Sequence, residues 1–303
     1  EISACLVGSE MCIRDRKRKH SGMENIMDNF LSIKEAVQRY SASCDGKIKT
    51  PFDKLFIKAM LAGMMIAMGA AGSSVACHAI GNVGLARLVA GVVFPVGLMM
   101  VILTGAELFT GDCLMIVATV EKKNTMAQMI KELVFIYIGN FVGAALLALG
   151  VYFSGQLGYS SNLLGAYTIK AAVGKTGLSF GTALVSGILC NILVCVAVLM
   201  AICSKDIVGK LFVSFFVIML FVVCGFEHCV ANMYYITAGL LCKLNPAYVQ
   251  LAMEQYGYTA DQLAALNVGS FLIGNLLPVT IGNMIGGMVT LGLPLWYVNK
   301  EGK

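Results

Sequence analysis

Charge is what this sequence has least of. Only 13% of its 303 residues are Asp, Glu, Lys or Arg, roughly half the share of an ordinary soluble domain. Hydrophobic residues make up 58%, and the mean hydropathy is +0.80. That balance excludes a water-soluble globular protein. A C-x-x-C pair is also missing, although the chain carries 11 cysteines. Most of them (Cys77, Cys113, Cys190, Cys195, Cys203, Cys224, Cys229 and Cys242) fall in apolar stretches, so they read as small, buried, reduced side chains, and neither a disulfide framework nor a metal site is expected. Histidine is scarce at 3, and His228 alone stands within an apolar stretch, His20 being in a polar tail and His78 at a helix end. A nucleophile paired with a base and a cofactor or ATP-binding motif are likewise missing, which argues against a membrane enzyme and predicts no cofactor.

The charges that are present cluster, and long uncharged runs separate them: 59–86, 88–106, 133–169, 176–204, 211–226 with 228–242, and 262–299. Most exceed the roughly 20 residues a helix needs to cross the hydrocarbon core. The pattern predicts an all-α membrane protein of six spans, with cores near 55–77, 88–118, 127–152, 179–203, 209–242 and 264–293. With six spans both termini share a side. That side holds Lys47, Lys49, Lys54, Lys58, Lys122, Lys123, Lys131, Lys205, Lys210, Lys300 and Lys303, against Arg87, Lys170, Lys175 and Lys243 on the other. The excess of basic residues predicts cytoplasmic termini in a plasma-membrane protein. It also accounts for the net charge of +5 without any nucleic-acid partner.

Residues 1–22 contain no apolar run long enough for a signal peptide, and are expected to be a disordered or foreign extension with Met23 as the natural start. Residues 23–50 are expected to be a cytoplasmic segment, 51–299 the six-span transmembrane domain and 300–303 a cytoplasmic tail. Within the segment, Phe30, Leu31, Ile33, Ala36, Val37 and Tyr40 recur at mostly helical spacing. They predict an amphipathic helix over 28–43, on the cytoplasmic surface or packed against a neighbouring subunit. Trp296, Tyr297 and Tyr152 are expected to anchor span ends at the interface.

Two carboxylates break the apolar pattern in matching ways: Gly105-Ala106-Glu107-Leu108-Phe109-Thr110-Gly111 in span two and Gly225-Phe226-Glu227-His228-Cys229-Val230-Ala231 in span five. A carboxylate at mid-membrane costs about 2.5–3.5 kcal/mol, so the pair marks a pathway or a structural break. A second correspondence joins Ile138-Gly139-Asn140-x-x-Gly143 in span three to Ile281-Gly282-Asn283-x-x-Gly286 in span six. Spans one to three therefore correspond to four to six, and because three is odd the halves are inverted. Glycine-interrupted helices in matching positions of inverted halves point to a solute site near the midplane. Glu107 and Glu227 are expected to accept the free amides at the breaks and hold the two loops, with a relay role as the alternative. Gly139, Gly143, Gly282 and Gly286 are expected to seat close helix contacts.

The sequences Glu107-Leu108-Phe109-Thr110 and Gly225-Phe226-Glu227-His228-Cys229-Val230-Ala231-Asn232-Met233 strongly resemble the broken-helix signatures of the formate/nitrite transporter family, and the resemblance runs over about residues 30–297. It implies an aquaporin-like six-span protomer in a homopentamer, each with a pore for a small monovalent anion such as formate, nitrite or hydrosulfide. Position by position, the family's pore histidine falls on His228, its loop threonine on Thr110, its helix-four asparagine on Asn191 and its vestibule lysine on Lys175. Its constriction residues fall on Phe94, Leu98, Leu108, Phe109 and Phe221, and Asn232 belongs to the second break. Where some formate channels have small hydroxyl residues after the threonine, this chain reads Gly111-Asp112.

Elementary energetics gives these residues a mechanism. A bare anion in a constriction lined by Phe94, Leu98 and Phe221 would cost many kcal/mol, whereas its protonated acid is nearly neutral. A proton is thus the natural co-traveller. His228 would pass that proton to the anion, or steady the neutral acid by a hydrogen bond while a partner such as Asn191 or Thr110 holds the ring. Lys175 would gather anions at the mouth of span four; sixteen helical residues set it about 24 Å from Asn191. Formate is the first expectation, nitrite or hydrosulfide the next. A water or polyol channel is the rival plan, but Asn245-Pro246-Ala247 occurs once rather than as the expected pair.

Overall fold

The structure, a computed structural model, describes residues 30–300; the sequence-based expectations for 1–22, for Met23 as the start, for the first two residues of the 28–43 helix and for 301–303 fall outside them. Every regular element among the described residues is a helix, apart from one isolated bridge between Phe30 and Ser204. Six helices are long and apolar enough to cross a membrane: Phe52–Cys77, Val83–Thr104, Met126–Phe153, Phe180–Cys203, Ile207–Cys224 and Ser270–Asn299. Two shorter apolar helices, Phe109–Val120 and Cys229–Cys242, follow the second and fifth spans. The last span begins several residues later than its hydropathy suggested, because Ala260–Ala265 forms a separate short helix ahead of it.

In chain order, α1 (Ile33–Ile48) precedes span one, α2 (Phe52–Cys77). Span two is α3 (Val83–Val93) and α4 (Val96–Thr104), jointed at Pro95. A proline in a helix interior removes an amide donor and kinks the chain there. After the first break come α5 (Phe109–Asp112), a 3₁₀ turn and α6 (Ile116–Val120), then span three, α7 (Met126–Phe153). A further helix, α8 (Leu163–Thr176), precedes span four, α9 (Phe180–Cys203), and span five, α10 (Ile207–Cys224), leads through the second break into α11 (Cys229–Cys242). The sequence reading passed over α8, which packs against α11.

Glycine seats the helix pairs. A Cβ on Gly143 of α7 would stand 2.0 Å from the Met60 carbonyl oxygen of α2, and one on Gly286 of the last span 2.3 Å from that of Ile188 on α9. Two large helices can approach so closely only where one presents no side chain, as expected for association without a hydrophobic driving force.

α1, expected over 28–43, runs from Ile33 to Ile48 among the described residues. Ser32 and Glu35 close a capping box at its N-terminus. Its buried face (Ala36, Val37, Tyr40, Ser41, Cys44) packs on α9, α6 and the end of the last span of the same chain. That face therefore packs on the chain's own helices.

Candidate functional site: two helix breaks between two cavities

Span two ends at Gly105 with φ +66°, and span five at Gly225 with φ +73°. That left-handed turn is open to glycine at little steric cost. Beyond it the chain crosses in extended form and restarts as a helix, leaving amides and carbonyls that need partners at a depth without water. Two asparagines supply them. Asn140 accepts from the Phe109 amide at 2.9 Å and donates to the carbonyls of Glu107 (2.9 Å) and Ala59 (2.7 Å). Asn283 accepts from the Cys229 amide at 2.9 Å and donates to the carbonyls of Glu227 (3.0 Å) and Gly187 (2.7 Å). The amides assigned from sequence to Glu107 and Glu227 are therefore held by these fully buried asparagines instead. An amide side chain can accept and donate at once, which a carboxylate cannot.

The carboxylates bind cations. Glu227 takes Lys175 Nζ at 2.9 Å on one oxygen and Asn232 Nδ2 at 2.6 Å on the other, and Asn232 also donates to Asn275 at 2.8 Å. Glu107 takes Lys47 Nζ at 2.5 Å, with Lys58 at 3.7 Å. Lys47 also binds Asp112, whose second oxygen is buried without a partner among the described residues. Burial alone would lower the Lys47 ammonium, but the Asp112 and Glu107 carboxylates raise it above its ordinary range, so it stays charged. Tyr40 of α1 donates to the Gly111 carbonyl at 3.2 Å, tying that helix to the first half-helix.

One hydrogen bond joins the breaks: His228 Nε2 and Thr110 Oγ1 are 2.9 Å apart, both groups buried. His228 is also the N-cap of α11, its Nδ1 accepting from the Ala231 amide at 3.0 Å. An acceptor Nδ1 carries no proton, so the neutral ring holds its proton on Nε2 and donates it to Thr110. The threonine hydroxyl then keeps its own proton to donate elsewhere. Asn191, expected as a histidine partner, instead donates to the carbonyls of Thr110 (3.1 Å) and Asn283 (2.7 Å).

A cavity of about 510 Å³ opens among Lys47, Lys58, Leu98, Glu107, Leu108 and Asp112. Another, of about 260 Å³, is lined by Arg87, Phe94, Lys175, Phe221, Glu227's neighbour His228 and Asn232. They lie toward opposite ends of α2, the first reaching Lys58 and the second Ser73 and Cys77. Between them Phe94 and Leu98, one turn apart on span two, face opposite cavities; the Phe94 and Phe221 rings meet edge to face at 5.5 Å. Phe109 lines neither cavity, its ring lying 4.9 Å from Tyr137 of α7. Lys175 is not on the span that carries Asn191. It ends α8, separated from α9 by a turn, so the helical rise of 24 Å does not apply.

A family model described as formate/nitrite transporter matches residues 34–297. This chain belongs to the formate/nitrite transporter family. Curated relatives include the formate channel FocA of Haemophilus influenzae, 40% identical over 219 residues, covering 72% of this chain and 76% of the relative. FocA of Escherichia coli K12 is 33% identical over 249 residues, 81% of this chain and 86% of the relative. Among solved structures, a pentameric formate channel with formate bound superposes with a TM-score of 0.74 at 30% identity, covering 82% of this chain and 97% of that one. An FNT family ion channel superposes at 0.73 with 24% identity, 87% of this chain and 98% of that one, a likeness of fold. The family's members named here are channels and transporters, and the six apolar helices suit an integral membrane protein.

The asparagine brackets, Lys47 and Arg87 were not singled out as site residues from sequence. For the asparagines a signal existed, the repeated Ile-Gly-Asn, which was read for its glycines.

Proposed function

We propose that this chain is a membrane channel for a small monovalent anion, formate first, which crosses the septum as the neutral acid. The observation that carries the reading is the His228–Thr110 pair set in an apolar septum between two cavities that each carry charged side chains. Phe94, Phe221, Leu98 and Leu108 form the septum, and shedding water there is affordable for HCOOH but not for HCOO⁻. The anion takes a proton in one cavity, the neutral acid crosses, and the proton returns to water in the other.

At the crossing, the Thr110 hydroxyl donates to the acid's carbonyl oxygen, its own oxygen being charged with the His228 Nε2 proton. His228 supports this role better than a shuttle. A second proton can be added only at Nδ1, where it must displace the Ala231 amide and break the α11 cap. Lys175, neutralised by Glu227, whose other oxygen Asn232 holds, keeps the second break in shape more than it gathers anions. Glu107, Glu227 and Asn232 hold the loops through side-chain bonds, and Asn191 supports Thr110. Nitrite and hydrosulfide are the other candidate anions. By the excess of basic residues, the Lys47 cavity faces the cytoplasm, with both termini on that side of the plasma membrane. The pentamer of the formate-bound relative is the expected assembly.

The test is uptake of formate, nitrite and hydrosulfide into proteoliposomes, with and without an inward proton gradient. The intact chain should carry formate in proportion to the gradient, and His228→Ala should lose about tenfold of that flux, about 1.4 kcal/mol of barrier. His228→Asn, which keeps a cap acceptor and a donor, should retain more. Undiminished formate flux in His228→Ala overturns the histidine's role, and water or glycerol flux without anion flux overturns the anion reading.

A further inference from the structure

Among the described residues three cations line the mouth on the Lys175 side, and two are engaged. Lys175 is bonded to Glu227 at 2.9 Å, and the Lys170 ammonium stands 4.5 Å over the Tyr256 ring. Arg87, on α3, is different. It lines both the 260 Å³ cavity beside His228 and an adjoining one of about 630 Å³ that reaches Tyr256 and His78. Its hydrogen-bond partner among the described residues is the Val223 carbonyl, which Nη1 meets at 3.2 Å. No carboxylate among the described residues forms an ion pair with it. A guanidinium has five N–H donors in a rigid fork, so most of its donors face the cavities.

Its position is fixed. Val223 belongs to the last turn of α10, whose free carbonyls favour a cation. Gly225, next to that turn, leaves the guanidinium its room, since a Cβ there would stand 2.3 Å from Nη1. The matching Gly105 at the other break has nothing within 4 Å of that point. The fork is built into one break alone, one step before the septum.

Resting on the anion-channel reading, we propose that Arg87 is a docking subsite for a planar, two-oxygen monovalent anion, a carboxylate such as formate. Its free N–H donors bind the two oxygens side by side, where an ammonium offers only a point charge. The subsite holds the ion at the mouth while it acquires the proton with which it crosses.

Formate flux through Arg87→Lys and Arg87→Gln is measured in proteoliposomes, with phenylglyoxal modification of the unaltered protein as a second measurement. Losing the fork should raise the formate KM about fivefold in Arg87→Lys and more in Arg87→Gln, with maximal flux within about twofold. A merely structural role would lower maximal flux instead. Formate should slow phenylglyoxal attack on Arg87 relative to Arg39 of the same chain, read by peptide mass. A KM that Arg87→Lys leaves unchanged, or modification of Arg87 indifferent to formate, overturns the subsite. An unaltered protein that carries no formate overturns the channel reading, and the protection assay then still reports binding at Arg87 on its own.

Discussion

At Gly105 and at Gly225 a membrane helix ends in the same left-handed turn, a carboxylate follows two residues later, and an asparagine from another span bridges the gap. Each carboxylate holds a lysine from outside its own span, Lys47 at one break and Lys175 at the other. The difference lies in what completes each. The second break is closed within itself: His228 caps its own half-helix, and Asn232 fixes the second oxygen of Glu227. At the first, Leu108 caps α5 without a side-chain bond, and the lysine comes from the peripheral α1, shared with Asp112. One break carries the ring chemistry on a locked frame, and the other is fastened to a helix outside the membrane domain. Shared backbone geometry therefore specifies the frame, and the side chains around it divide the work.

The largest expected effect falls on what the breaks share. Asn283→Ala leaves the Cys229 amide and the Glu227 and Gly187 carbonyls without that partner, and Asn140→Ala does the same to the Phe109 amide and the Glu107 and Ala59 carbonyls. At about 1–3 kcal/mol for each buried polar group left unmade, either change should cost about 3 kcal/mol or more. Thermal unfolding in detergent should show two nearly equal losses. A large loss from one with none from the other would break the claim of a common frame.

Much of that frame was legible beforehand, for a physical reason. Hydropathy reports spans because lipid penalises charge everywhere along them, and glycine with a carboxylate reports a break because both are costly in a plain helix. Asn140 and Asn283 were visible as a repeat, but their partners lie 31 to 96 residues away, which periodicity does not encode. Lys47 was hidden differently. An amphipathic pattern gives the face that α1 buries and not the surface it buries it against. Phe109 was carried into the constriction by its neighbours, yet beside an extended residue its ring turns to Tyr137. Formation of α8, moving Lys175 off the span of Asn191, had no signal in an apolar run that also suited a span.

A middling effect should separate the two lysine clamps. Glu227→Gln strands Lys175 beside a neutral amide, and the pair is largely buried, with side-chain exposures of 20% and 8%. Removing one partner of a fully buried pair costs about 3–5 kcal/mol, so about 2 is expected at this exposure. Glu107→Gln should cost about half that, because Asp112 still holds Lys47. The two variants compared by unfolding midpoint sharpen the contrast. Equal losses would mean that Asp112 does not compensate.

The smallest effect belongs to the residue that sets the first break apart. Asp112 is buried, one of its oxygens binds Lys47, and the other has no partner among the described residues. In Asp112→Asn the Lys47 ammonium keeps Glu107, an amide oxygen still accepts from it, and an unpaired buried carboxylate oxygen disappears. The lost attraction and the removed penalty oppose each other, so stability should move by less than about 1 kcal/mol, in either direction. Transport should respond more than folding does. Glu107 and Asp112 stand against Lys47 and, at 3.7 Å from Glu107, Lys58, so the cluster at the mouth of the 510 Å³ cavity is balanced in charge. Asp112→Asn leaves it net positive, so formate flux from that face should rise at low ionic strength and converge with the unaltered protein as salt screens the difference. A flux gain that salt does not erase would mean that Asp112 acts by holding α1 in position rather than by its charge.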